Sequence, residues 1–113
     1  MGPLAGCGGY TGGGDQVLAR NTDSITLCEN GGYIATVNGA VLEGKQIADG
    51  TGTVVATDGA TGSTAFVLTY STDATTATGT DALDGTWTVE DLNQTALDHA
   101  DVQCQDLVSR SWW

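Results

Sequence analysis

Turn dipeptides recur along this chain at intervals that leave room for strands and little else. Asn30-Gly31, Asn38-Gly39, Asp49-Gly50, Asp58-Gly59 and Asp84-Gly85 each pair a short polar side chain with glycine. Both residue types tolerate positive φ, which two-residue hairpin turns demand. Turn signals spaced roughly every 8 to 12 residues point to an all-β meander, closed as a barrel or paired as a sandwich. Parallel α/β topology does not fit, because no helical pattern lies between the strands.

The segments between the turns carry strand chemistry. Gln16–Arg20 is a short extended stretch, and Asn21-Thr22-Asp23 turns it into Ser24-Ile25-Thr26-Leu27, where Ile25 and Leu27 share a face. Tyr33, Ala35 and Val37 share a face on the return. Ala40–Glu43 extends until Gly44 interrupts it, and 46–48 and 51–57 flank Asp49-Gly50. Ser63–Tyr70 is the strongest strand, with Phe66, Leu68 and Tyr70 on one side. The stretch 71–83 reads as a weak edge strand around Thr75–Thr78 or as a loop. Thr86–Glu90 alternates so that Trp87 and Val89 point inward.

The last twenty residues change period. Thr95 before Ala96-Leu97-Asp98 offers an N-cap, and Leu97, Ala100, Cys104, Leu107 and Val108 form one stripe at helical spacing. A C-terminal helix is favoured. Alternation of Val102, Gln103, Cys104 and Gln105 leaves a final strand as the alternative. A chain of 113 residues builds one such domain. Residues 15–113 form it, and the glycine-rich stretch 1–14, with little to bury, is expected to be a flexible arm.

Fourteen acidic residues against three basic ones give a formal charge of −11. That charge repels phosphate backbones and anionic lipid headgroups, so nucleic acid is not an expected partner. No apolar run approaches the ~20 residues that a membrane-crossing helix needs. Three cysteines allow at most one intramolecular disulfide. Cys28 and Cys104 lie in patterned segments and are the expected pair, with two buried thiols in a reducing compartment as the alternative. Cys7 lies among glycines.

Leu4-Ala5-Gly6-Cys7, followed by glycines to Gly14, resembles the lipobox and spacer of bacterial lipoproteins. The resemblance covers four residues and identifies no protein family. It implies that Cys7 carries a lipid anchor; otherwise Cys7 is a disulfide partner or a thiol.

No residue set carries a convincing catalytic pattern. His99 stands between Asp98 and Asp101, yet no Gly-x-Ser-x-Gly accompanies it, and it reads as a solvated helix residue. No CxxC or Cys/His cluster marks a metal centre, and no cofactor is expected. Asp58 and Ser63 are weak calcium candidates, since a carboxylate and a hydroxyl suit a hard cation, but Asp58-Gly59 is first a turn. Trp112, Trp113 and Tyr10 are the candidate contact residues. Together these features predict an extracellular or cell-envelope, non-catalytic recognition module for a protein or carbohydrate, lipid-anchored if Cys7 is modified. The alternatives are a structural subunit of a surface assembly or fibre, contacting copies of itself, and an acidic inhibitor or immunity-like partner of a basic protein.

Overall fold

At Asn30-Gly31, Asn38-Gly39 and Asp58-Gly59 the chain reverses between paired strands. The computed structural model describes residues 14–48, 52–70, 75–78 and 83–113. Its strands are β1 (Gln16–Arg20), β2 (Asp23–Leu27), β3 (Gly32–Val37), β4 (Ala40–Ala48), β5 (Thr53–Asp58), β6 (Thr64–Tyr70), β7 (Thr75–Thr78) and β8 (Gly85–Val89). Each pairs antiparallel with the next, and β8 pairs back onto β1 through Leu18 with Val89 and Ala19 with Thr88. The meander is therefore a closed barrel, not a sandwich. Asn38 and Gly39 both take positive φ, 52° and 80°, as their turn requires. The Asp49-Gly50 turn, and all of the expected arm except Gly14, lie outside the described residues.

The interior is filled by setting large side chains opposite small ones across the strand pairs. Tyr33 faces Gly44, Phe66 faces Ala56, Leu68 faces Ala77, Ile25 faces Ala35 and Trp87 faces Thr75. All ten are buried. Tyr33 and Phe66 meet edge to face at 5.1 Å, and the Trp87 indole N–H donates to the Leu83 carbonyl at 2.9 Å. Alternating bulk is how a small barrel packs its lumen with side chains.

Four sequence expectations need correction. Gly44 does not interrupt a strand; it sits inside the nine-residue β4. A Cβ there would lie 1.8 Å from the Thr57 carbonyl oxygen, which also accepts the Tyr33 hydroxyl at 2.9 Å. The glycine is what lets β5 and Tyr33 converge. β7 is a strand at the expected Thr75–Thr78, yet it is not an edge, because β6 and β8 flank it in the closed wall. Val89 shares the face of Trp87 but is 47% exposed, being the last residue of its strand.

The fourth correction concerns the helix. It is present as α1 (Gln94–Asp106), continued by a 3-10 turn at Leu107–Ser109. Its N-cap is Asn93, not Thr95: the Asn93 side-chain oxygen accepts the Ala96 N–H at 2.9 Å. Ala100, Cys104 and Leu107 are buried as expected, while Val108 is 53% exposed. The tighter 3-10 winding carries Val108 off the α-helical stripe.

Gly44→Ala is expected to destabilise the barrel by about 3 kcal/mol or more, because backbone on both strands must move. Gly62→Ala, at φ +76° with nothing within 4 Å, costs only about 1 kcal/mol. Denaturant unfolding of the two variants measures the difference.

Candidate functional site

One disulfide organises the helix end of the molecule. Cys28, just past β2, is bonded to Cys104 in the last turn of α1, with a Cα–Cα distance of 5.7 Å. Both cysteines are buried, as is Leu107, and Ile34, Trp112 and Trp113 pack against them. The β2–β3 turn is held from two further sides. The Gln46 side-chain amide, itself buried, donates to Cys28 and Gly32 carbonyls at 3.1 and 2.7 Å. Asn30 donates to the Cys104 carbonyl at 3.0 Å. The helix thus covers the outer face of the β2–β3 region, where outward-pointing Thr26 is buried.

The candidate contact residues Trp112 and Trp113 are half-buried. A Cβ on Gly59 would stand 2.3 Å from the Trp112 ring, and one on Gly32 would meet Leu107 at 2.7 Å and Trp113 at 3.0 Å. These glycines are the seats of the two rings, which lie 6.1 Å apart. Lys45 donates to the Trp113 carbonyl oxygen and sits 5.4 Å from its ring. Arg110 forks onto Glu43 through Nε and Nη2 and also reaches Asp106 at 3.1 Å. Tyr10 and Cys7 lie outside the described residues.

On the other side of the disulfide is an open cleft of about 420 Å³ lined by Asp15, Glu29, Asn30, Asp101, Cys104 and Gln105. It adjoins a recess of about 270 Å³ to which Gln94, Leu97 and Asp98 contribute. Among the described residues, four carboxylates, Asp15, Glu29, Asp98 and Asp101, and no cation line this pair of hollows. Asp15 accepts the Glu29 backbone N–H at 2.8 Å. Burial pushes its carboxyl above the ordinary value of 3.8; the Glu29 hydrogen bond opposes this and nearby Asp101 adds to it. Gln94 and Gln105 each donate to one helix aspartate, Asp98 and Asp101, at 2.9 Å. The Asp15 carboxylate lies within 4.8 Å of both cysteine sulfurs, but disulfide sulfurs are not thiolate ligands.

The remaining sequence candidates fall elsewhere. Asp58 Oδ1 accepts the Ala60 and Thr61 N–H groups at 2.8 and 3.4 Å, and its own N–H donates to the Ser63 carbonyl at 2.8 Å. The calcium candidates therefore close the β5–β6 turn through their own hydrogen bonds. His99 is exposed and borders a separate groove between α1 and β1–β2, with Ser24 and Thr26. Sequence reasoning missed the meeting of Asp15 and Glu29 with the helix aspartates, since only the disulfide and the helix position bring them together. Compared with protein-family models, curated proteins and solved structures, the chain matches none.

Replacing both Cys28 and Cys104 by alanine opens a loop of 76 residues and is expected to cost about 4 kcal/mol by loop entropy. Hydrogen exchange then shows α1 amides losing protection ahead of the strands. Asp15→Asn keeps the oxygen that accepts from Glu29 and removes the buried charge. Because the folded carboxyl binds its proton more tightly than the unfolded one, its stabilising contribution is present below pH 3.8 and lost as pH rises through the raised folded value. The variant should melt about 2 °C higher than the parent at pH 7, with the gap closing at low pH.

Proposed function

We propose that this chain is an extracellular or cell-surface, non-catalytic recognition module that meets a basic partner on the acidic side of its barrel. The observation that carries the reading is the covalent fixing of α1 beside four carboxylates. Cys28–Cys104 holds Asp98 and Asp101 against Asp15 and Glu29, so the acidic surface is preformed. All three cations of the chain, Arg20, Lys45 and Arg110, are turned to contacts within the fold and leave this surface unneutralised. The barrel lumen is packed with side chains, which favours a partner bound outside it. A disulfide between buried cysteines suits an oxidising compartment. Cys7 is outside that pair, consistent with its proposed anchoring role.

Two measurements test this reading. Intact mass of natively produced protein should show Cys28 and Cys104 alkylated only after reduction, with Cys7 carrying a lipid. Free alkylation of all three cysteines in the unfolded, unreduced chain sinks the extracellular assignment. NMR titration with a lysine-rich peptide should shift the amides of Glu29, Asn30, Asp98 and Asp101, and the effect should fade at high salt. Binding that is indifferent to salt, or that maps to other strands, overturns the acidic-face assignment.

A further inference from the structure

Charge is distributed unevenly around the barrel wall. Strands β5–β8 contain no Asp, Glu, Lys or Arg except Asp58, the last residue of β5, whose carboxylate is engaged by the N–H groups of the β5–β6 turn, although the chain as a whole carries −11. Their outward positions are threonine and valine, with Ala65 in β6. Thr53, Thr69, Thr76 and Thr86 stand opposite one another in a single row across four adjacent strands, and Val55 and Val67 form the row beside it. Thr69, Thr76 and Thr86 are exposed. Helix α1 covers the β2–β3 side, and the β4 side carries Glu43 and Lys45 with their partners; this neutral face has no such cover among the described residues.

We propose that the outer face of β5–β8 is a self-association surface that pairs with the same face of a second copy of this chain. Three features select that occupant. Two chains of charge −11 repel, and this face is where they can meet with a single strand carboxylate, Asp58 at the end of β5, on each copy. Self-pairing also needs a surface complementary to itself. A threonine hydroxyl both donates and accepts, so a row of them can bond to its two-fold-related copy, which rows of acceptor-only carboxylates cannot do. The methyl groups of threonine and valine meanwhile give the relief that lets stacked sheets interdigitate about 10 Å apart.

Size sets the strength. Four strands about 4.8 Å apart, each presenting two or three outward residues, make a footprint on the order of 400 Å². That is about half of what one partner contributes to a standard stable interface, so the dimer is weak and forms only at high protein concentration. Confinement of many copies to one surface would raise its occupancy. The proposal concerns a different face from the acidic cleft, so either can fail alone.

Sedimentation equilibrium of the full chain from about 0.02 to 1 mM, at low and high salt, tests it. The expected result is a reversible dimer that tightens several-fold as salt screens the repulsion, opposite to the salt response of the acidic face. Thr76→Asp and, separately, Thr69→Lys should weaken it at least tenfold while leaving the melting temperature within about 2 °C of the parent; two variants of opposite charge guard against an effect of net charge. Asp101→Asn should leave the dimer intact. A monomer at every concentration and salt overturns the proposal, as does a dimer unmoved by either threonine substitution. A monomer retained on insoluble polysaccharide through these threonines also overturns it, and assigns the face to a carbohydrate.

Discussion

A barrel of short strands has one lumen and no second layer to bury against, so everything depends on filling that lumen without bursting it. This chain meets the constraint pair by pair. Tyr33 needs the vacancy at Gly44, Phe66 the small Ala56, and Trp87 the short Thr75. Bulky residues also stand opposite one another, Leu18 with Ile25, Leu27 with Tyr33 and Val54 with Leu68, so the small partners elsewhere are what keep the summed volume within one lumen. The wall closes around this core where β1 meets β8, with Leu18 opposite Val89.

A filled barrel has no further need of a helix, which explains why α1 must be fastened. Only Ala100 and Cys104 of its thirteen residues are buried, too little apolar surface to hold a helix by burial alone. The disulfide supplies the attachment, and Leu107 with the two terminal tryptophans seals its edge on the glycine seats. The same attachment that stabilises the end of the barrel thereby sets Asp98 and Asp101 beside Asp15 and Glu29. Stability and acidic surface have one structural cause.

The fold was largely legible because its signals are local. Turn dipeptides, period-two alternation and the shift to helical period at residue 95 are each written within a few neighbouring residues, and they locate the strands and the helix. Gly44 misled because glycine in a strand reads as a break unless the approaching carbonyl of Thr57, in the next strand, is known. Thr75–Thr78 read as marginal because its stability comes from neighbours on both sides, not from its own hydrophobicity. The acidic cleft was not legible at all: Asp15 and Asp101 are remote in sequence, and only the cross-link makes them neighbours. The tryptophan pair was legible as something that must pack, but not where, since its seats are two glycines with no side chain to announce them.

The three cations show how scarce charge is allocated. Arg20 reaches the Asp84 carbonyl at 2.7 Å and stacks over Trp87 at 4.3 Å, tying the β1–β2 turn to the entry of β8. Arg110 and Lys45 tie the C-terminal segment to β4. Each contact joins parts of the chain more than sixty residues apart. Local hairpins form from their own turns and need no such help, whereas the barrel seam and the terminal cap are joints that only long-range contacts can hold. Spending the positive charges at these joints leaves the acidic groups to dominate the helix side, and a neutral wall across β5–β8. The contrast between an acidic helix side and a wall of β5–β8 poor in charge is thus partly a consequence of how the barrel is closed.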